Sequence, residues 1–291
     1  MFAGAPQYLI SGLTVGATYG LTALGFPMIF NTTGIINFAQ GEFVMLGGML
    51  AVVLQKAGAP LPVAIMLAVA VTALVGCLIE RGVIRPVGRT APVNLVIITI
   101  GISILLRGAV MLIWGKDTFA LPPFSGSAPL AILGAAVQPQ SLWVLLITLL
   151  LLVALKLFFS RTIHDKAMLA CACEQKAAAL MGISVDRMAM LSFGLSGFLG
   201  AVGGAILTPI TLTSYDVGVM LGLKGFAACI LGGLGNPFGA AAGGLILGVL
   251  ESFGARFVSS AYKDAFAFIV LLALLFVKPT GLFGGPKSDR V

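Results

Sequence analysis

Three polar side chains stand close together within a long apolar run: Asn37, Gln40 and Glu42, the last of which is the first charged residue of the chain. Polar and ionisable groups inside a membrane span are costly and usually face the protein interior or a water-filled cavity. Gly41, between them, would allow the backbone to bend or another segment to come close. The segment 31–48 therefore predicts a pathway element or a broken helix; the alternative is a helix cap at the cytoplasmic end, with Glu42 reaching the interface.

Two further charges, Arg107 and Lys224, fall inside apolar runs. Long basic side chains near the end of a span can extend to the interface between lipid and water. The alternative is that they pair with Glu42 or Glu251 and so hold neighbouring helices in register. The sequence leaves both interpretations open.

Thr99 and Ser103 precede Arg107 at intervals of four residues. Side chains at this spacing lie on one face of a helix. We expect that face to point inward, away from lipid, and we include Thr99 and Ser103 in the predicted pathway.

Enzymatic chemistry finds little support in the sequence. Ser196 lies in Gly194-Leu-Ser-Gly197, which resembles the nucleophile motif of rhomboid proteases, but a serine nucleophile needs a neighbouring base. The only histidine, His164, falls in a loop far in depth from the middle of a span. Ser196 is therefore interpreted as a small packing residue, and the chain is not expected to be an enzyme.

The residue types that bind metals or nucleotides are also sparse. A metal site would need more ligands than the scattered Cys77, Cys171, Cys173 and Cys229 offer, so they are expected to be small buried residues. No Gly-x-x-x-x-Gly-Lys-Ser/Thr motif occurs in the sequence. We expect no metal and no cofactor, and any ATP hydrolysis would occur on another polypeptide.

The composition indicates that lipid is the solvent for much of the surface. Hydrophobic residues make up 59% of the 291 residues and charged residues 9%, with a mean hydropathy of +1.11; soluble domains carry roughly 25% charged residues. The net charge of +7 is spread among loops without a basic run. This excess is typical of cytoplasmic loops of membrane proteins and does not indicate nucleic-acid binding.

Apolar runs long enough to approach a membrane span recur along the whole chain. They predict an all-α polytopic bundle with eight or nine spans in one domain, 1–291, of which the second and seventh contain polar or Gly-rich interruptions and could be broken or re-entrant. The predicted spans are 7–30, 34–55, 60–79, 92–114, 141–159, 188–210, 218–235, 238–257 and 263–279.

The distribution of Lys and Arg predicts which connections are cytoplasmic. The loops 80–91 and 160–187 and the C-terminal tail carry most of the basic residues. The Pro-rich loop 115–140 is then extracytoplasmic. The N-terminus is outside if all nine runs cross and inside if one run before residue 80 does not cross. Within the loop 160–187, good helix formers from Asp165 to Met181 predict one short cytoplasmic helix that stops at Gly182.

Glycines recur every four residues in three of the predicted spans: at Gly12, Gly16 and Gly20, at Gly200 and Gly204, and at Gly239/Gly243 and Gly244/Gly248. Such spacing allows helix backbones to approach closely in lipid. A packing face within one subunit is favoured over a dimer seam. The Gly-rich stretches 12–51 and 194–248 also suggest two related halves, as in transporters built from repeats.

Several segments resemble one family, the branched-chain amino-acid permeases of ABC importers, most closely the shorter, H-type subunit. The family signature N-x-x-x-G-x-x-N-F-A-Q-G-E resembles the residues from Asn31 to Glu42, and the resemblance continues in Ile79-Glu80-Arg81 to Arg85-Pro86. It returns in Ala177-Ala-Ala-Leu-Met-Gly-Ile183 and in Leu231-Gly-Gly-Leu-Gly-Asn-Pro-Phe-Gly239. It implies an amino-acid permease in the bacterial inner membrane.

The resemblance also implies partners. ABC permeases insert a coupling helix into a cleft of the ATPase, and the residues that resemble that loop are Glu174, Ala177, Ala178, Ala179 and Gly182. The implied assembly contains a second permease subunit in a heterodimer, two ATP-binding subunits and an extracytoplasmic substrate-binding protein, all at the membrane lipid.

Two alternatives remain at this stage. Permeases for urea and short amides share the signature, so the substrate could belong to that class. An ion-coupled secondary transporter or a channel is the other class, and coupling of that kind usually needs acidic or histidine relays within the bilayer. Only Glu42 and Glu251 are placed for such a relay.

Overall fold

Long apolar helices build almost the whole protein in the computed structural model, which describes residues 5–88, 92–132, 135–257 and 263–284. Helices suit these sequences because lipid offers no hydrogen bonds, so each segment must satisfy its backbone internally. The first half contains α1 (Ala5–Thr33), α2 (Gln40–Lys56), α3 (Leu61–Ile79), a π-helical turn (Glu80–Ile84), α4 (Arg85–Val87) and α5 (Pro92–Trp114).

The second half begins after a long connection. That connection contains a two-stranded antiparallel hairpin, β1 (Leu130–Ile132) and β2 (Ala135–Val137), in which Leu130 pairs with Val137. With the isolated bridge between Phe119 and Thr213, it is the β-structure that departs from the all-α prediction among the described residues. The helices that follow are α6 (Pro139–Arg161), α7 (His164–Cys173), α8 (Gln175–Leu180), α9 (Val185–Thr211), α10 (Val217–Gly232), α11 (Pro237–Phe257) and α12 (Lys263–Val277).

The helical membrane architecture is confirmed, but the count of eight or nine spans is not. Six helices among the described residues are long and apolar enough to cross a membrane. A helix coincides with each of the nine predicted spans, but α2, α10 and α12 have only 17, 16 and 15 residues. The interruption predicted in the second run corresponds to the non-helical segment 34–39 that precedes α2. In the seventh run, α10 continues unbroken to Gly232, and the non-helical segment 212–216 precedes the predicted run.

The bundle has two distinct ends. At one, called the basic end here, Thr33 and Arg85 line one cavity, and Lys156 and Asn31 line another. At the other, the far end, the Lys56 ammonium lies 4.3 Å from the Phe119 ring centre.

The same order of helices occurs in both halves of the chain, but the helices of the second half run through the bundle in the opposite direction. In α1–α2–α3 a long helix ends at the basic end and is followed by a short and then a long helix. In α9–α10–α11 the long helix ends instead at the far end, where Thr213 pairs with Phe119. The packing repeats as well, because α1 lies on α11 as α9 lies on α3, and Val-Met-Leu-Gly occurs in both short helices, at 44–47 and 219–222. Inverted repeats of this kind are common in transporters.

Glycines on α1 and α9 face other helices of the same chain. An added methyl group would lie 2.8 Å from Val249 Cα at Gly12, 2.7 Å from Leu245 Cα at Gly16 and 3.0 Å from the Ala241 carbonyl oxygen at Gly20. On α9, a methyl group at Gly200 would lie 2.8 Å from Phe43 Cβ, and one at Gly204 would overlap the Val44 carbonyl. The ladders therefore lie in the α1–α11 and α2–α9 contacts.

One substitution tests this packing. Gly244→Ala on α11 would place a methyl group into the backbone of α1 at Gly16 and Gly20, and overpacking of this kind costs about 1–3 kcal/mol. We expect a lower unfolding midpoint for the purified protein in detergent. Gly101→Ala on α5 is the matched control, because its methyl group meets nothing within 4 Å; equal midpoints for the two variants would contradict the packing.

Candidate functional site

The candidate site is the polar junction where α2 begins inside the bundle. α1 ends at Thr33, and Gly34 takes the left-handed conformation with φ +71°, which glycine adopts without strain. The following segment runs back into the protein. There the Asn37 side-chain oxygen accepts a hydrogen bond from the Ala39 amide at 3.1 Å, a local turn that starts the next helix. Asn37 is fully buried, and its side-chain nitrogen has no partner among the described residues.

Gln40 ties the first turn of α2 to α1 and α9. Its side-chain nitrogen donates to the Ser196 carbonyl at 3.3 Å, and the Ser196 hydroxyl hydrogen-bonds both the Gln40 side-chain oxygen and the Gly25 carbonyl. Gly25 makes room for this contact, because a methyl group there would overlap the Gln40 amide. The sequence interpretation of Ser196 as a packing residue is thus incomplete, since its hydroxyl positions Gln40.

Glu42 lies where the N-termini of α2 and α10 meet. It is 1% exposed, and its Oε1 accepts a hydrogen bond from the Ser103 hydroxyl at 2.8 Å. Oε2 has no hydrogen-bond partner among the described residues and would lie 2.6 Å from a methyl group at Gly218, in the first turn of α10. Helix N-termini carry partial positive charge, so both short helices stabilise the carboxylate.

The inward face of α5 completes the junction. Thr99 is fully buried, and its hydroxyl accepts from the Phe38 amide at 3.2 Å. Ser103 reaches Glu42 from the next turn. Arg107 is half-buried, and it forms no ion pair with Glu42 within 4 Å. The structure therefore brings Asn37, Gln40, Glu42, Thr99 and Ser103 into one polar region.

Lys224 does not extend to an interface. On α10 it is 4% exposed, and its ammonium lies 2.8 Å from Glu251 Oε1 and 2.6 Å from Asp264 Oδ1. It also donates to the Tyr19 hydroxyl at 2.8 Å, which in turn donates to Glu251 Oε2 at 2.9 Å. The pairing with Glu251 was one of the two predicted alternatives, whereas Tyr19 and Asp264 were not found from the sequence.

The predicted coupling residues lie at the basic end, and their helix differs from the prediction. Instead of one helix from 165 to 181, α7 and α8 are separated by Glu174, whose extended backbone (φ −157°) starts α8 and whose carboxylate accepts from the Lys176 amide. Ala177 and Ala179 are exposed and Ala178 is buried. Gly182, with φ +84°, ends the segment. Leu180 and Met181 are 88% and 83% exposed, so an apolar tip projects here.

Comparison with known proteins places the whole chain in one group. Residues 8–275 match the family model of the branched-chain amino acid transport system / permease component. The chain is 35% identical to the high-affinity branched-chain amino acid transport system permease protein LivH of Escherichia coli K12, over 98% of this chain and 97% of that protein.

Two other relatives show the same agreement. Permease protein BraD of Pseudomonas aeruginosa is also 35% identical, over 98% of this chain and 97% of that protein. The probable branched-chain amino acid transport permease protein LivH of Methanocaldococcus jannaschii is 29% identical, over 91% of this chain and 88% of that protein. No solved structure matches the chain.

The Lys224 cluster gives a test of the buried charges. Lys224→Met leaves Glu251 and Asp264 without their cation, and breaking a buried ion pair in this way costs about 3–5 kcal/mol. We expect a clearly lower unfolding midpoint in detergent. Part of the loss should return in the double variant Lys224→Met/Glu251→Gln, which removes one of the stranded charges. Lys116→Met, at an exposed lysine outside the helices, serves as the control, and a midpoint as high for Lys224→Met as for this control would argue against the cluster.

Proposed function

The chain belongs to the family of branched-chain amino acid transport system permease components, and on that premise we propose that it is the membrane-spanning subunit through which an ATP-driven importer passes branched-chain amino acids. The observation that carries the proposal is the match over nearly the full length to permeases named for this transport. Urea or a short amide is the alternative substrate class, and an ion-coupled transporter or channel is the alternative mechanism.

We further propose nine crossings, with the basic end in the cytoplasm of a bacterial cell and the chain in the inner membrane. The six long helices cross by themselves. The segments 34–56 and 212–232 cross as a non-helical stretch followed by a short helix, and α12 returns the chain to the basic end. There the Leu282 amide bonds the Leu231 carbonyl at 2.8 Å. Arg81, Arg85, Arg161 and Lys166 then face the cytoplasm, in agreement with the usual excess of basic residues on that side.

The polar junction is the proposed position of the pathway. Asn37, Gln40, Glu42, Thr99 and Ser103 are buried or half-buried polar groups. Thr99 and Ser103 on α5 bond the Phe38 amide and Glu42, and Gln40 bonds Ser196 on α9. Transporters built from inverted repeats commonly bind their substrate where interrupted helices meet near the middle of the bilayer. Movement of α2 against α10 would open the junction toward one side of the membrane and then toward the other. ATP and substrate would drive this movement because each binds the outward-open and the inward-open state with different affinity.

ATP hydrolysis is assigned to separate subunits. We propose that the segment 174–182 docks on an ATP-binding subunit through the exposed Leu180 and Met181, and that Gly182 returns the chain to α9. The full complex then contains a second permease, two ATP-binding subunits and an extracytoplasmic substrate-binding protein. The exposed apolar faces of α5 and α6, on which Leu112 is 83% and Leu149 59% exposed, are available to lipid and to the second permease.

Uptake by the reconstituted complex tests the function. In liposomes that contain the permeases, the ATP-binding subunits and the binding protein, labelled leucine should accumulate when ATP is present, and labelled urea should not. Uptake of urea alone would overturn the substrate assignment. Leucine uptake by the isolated permease with only an ion gradient would overturn the ATP-driven mechanism.

A variant of the coupling segment provides the matched comparison. Leu180→Asp places a charge on the exposed tip and should reduce both co-purification of the ATP-binding subunit and uptake at least tenfold. Leu130→Asp changes a 46% exposed leucine on the far-end hairpin and should leave the association intact. Equal association of both variants would contradict the docking position.

A further inference from the structure

A cavity of about 390 Å³ lies at the basic end beneath the segment that leads into α2. Its walls come from the end of α1, the π-helical turn with α4, and the first residues of α5, α8 and α9. Two of the segments that carry the family resemblance line it, the segment after Asn31 and the segment 79–86, and Gln175 and Val185 flank a third, 177–183. Cavities of this size are typical of sites for small molecules.

The cavity carries both signs of charge, at fixed positions. Glu80, 2% exposed, holds Arg85 with both carboxylate oxygens, at 3.2 Å to Nε and 3.1 Å to Nη2. Nη2 also donates to the Asp186 carbonyl at 3.3 Å. The remaining nitrogen, Nη1, has no acceptor among the described residues. Arg85 is therefore held rigidly with one donor group available.

Asp186 provides the opposite charge. Its carboxylate is 66% exposed and its nearest oxygen lies 3.8 Å from Arg85 Nε, so it makes a long ion pair and keeps acceptor capacity. Glu80 already neutralises Arg85 at short range. The second carboxylate, on Asp186, gives the cavity an acceptor for an ammonium group, while Arg85 Nη1 remains a donor for a carboxylate.

Aliphatic side chains line much of the remaining cavity wall, which also contains Thr33 and Gln175. Ile35, Ile84, Leu95 and Ala189 line it and are 5–8% exposed, and Val185 extends the same wall. An unbranched polar ligand would leave this surface without a partner, whereas an aliphatic side chain would cover it.

We propose that this cavity binds the zwitterion of an aliphatic amino acid on the cytoplasmic side of the membrane. Arg85 Nη1 binds the carboxylate, the Asp186 carboxylate binds the ammonium group, and the side chain lies against Ile35, Ile84 and Leu95. The inference deepens the proposed function, on which it rests, because it gives the transported amino acid a second, product-side site.

The site also connects to the coupling segment. Gln175 opens α8 and Asp186 lies in the first turn of α9, so both flanks of the segment that contains Leu180 and Met181 line the cavity. An occupant that bridges Asp186 and Arg85 would hold this segment against α4.

Direct binding tests the proposal. The complex of permeases and ATP-binding subunits, purified without the binding protein, should bind labelled leucine saturably. Unlabelled leucine, isoleucine and valine should displace the label. The analogues 4-methylpentanoate, which lacks the ammonium group, and 3-methylbutylamine, which lacks the carboxylate, should not displace it, because each leaves one charged group of the cavity without its partner.

Two variants and one control locate the bound leucine. Asp186→Asn, at an exposed side chain, should weaken binding at least tenfold, and Val185→Trp should abolish binding by filling the cavity. Asp117→Asn, at an exposed position near the far end, should bind as the unaltered protein does. Absence of saturable binding, displacement by either singly charged analogue, or unchanged binding in both cavity variants would overturn the site.

Uptake on the same preparations separates this inference from the proposed function. When the binding protein is added, leucine uptake without product-side binding overturns only the cavity site. Loss of leucine uptake in the unaltered complex overturns the proposed function itself.

Discussion

The interior of the bilayer contains no water that could form hydrogen bonds with a buried polar group. This constraint determines how the short helices α2 and α10 can begin inside the bundle. Two short helices, α2 and α10, begin within the bundle. The first amides of each helix have no hydrogen-bond partner within the helix, and burying them without another partner would cost free energy. The partial positive charge at each helix start also needs a negative charge nearby. The chain meets this cost with side chains that are rare in lipid-facing helices. Asn37 starts α2, Gln40 bonds to α9, and the Glu42 carboxylate lies where both helices begin. Substituting Asn37 would remove the acceptor of the Ala39 amide. Substituting Glu42 would remove the negative charge that lies at the start of both helices.

The glycines and the buried charges serve the same geometry. Close approach of α1 to α11 and of α2 to α10 requires positions without side chains, since a methyl group at Gly41 would overlap the Gly218 carbonyl. Each short helix also carries one charge within the bundle, Glu42 on α2 and Lys224 on α10. Both are held by helices on either side. The two inverted halves thus have the same arrangement of helices, but the buried charge on their short helices has opposite sign. For this reason α2 and α10 bind different partner side chains.

The sequence predicted the features that depend on residues close together in the chain. The apolar runs located a helix for each predicted span, and the cost of polar groups in lipid identified Asn37, Gln40 and Glu42 as neighbours of interest. It did not find Tyr19 and Asp264 around Lys224, because these contacts join residues far apart in the chain and depend on how the helices pack. The break at Glu174 was missed for a local reason. Good helix formers surround it, but its carboxylate accepts from the Lys176 amide and starts a new helix, a competition that propensity alone does not resolve.

The central claim is that 34–56 and 212–232 cross the membrane in opposite directions although their helices are short. Labelling of single cysteines in intact cells by a membrane-impermeant maleimide measures this most directly, after the four native cysteines are replaced. Cysteines at Ala57 and Ser214 should react from outside, whereas cysteines at Thr33 and Asn236 should react only after the membrane is permeabilised. Labelling of Thr33 and Ala57 from the same side, or of Ser214 and Asn236 from the same side, would contradict the inverted arrangement.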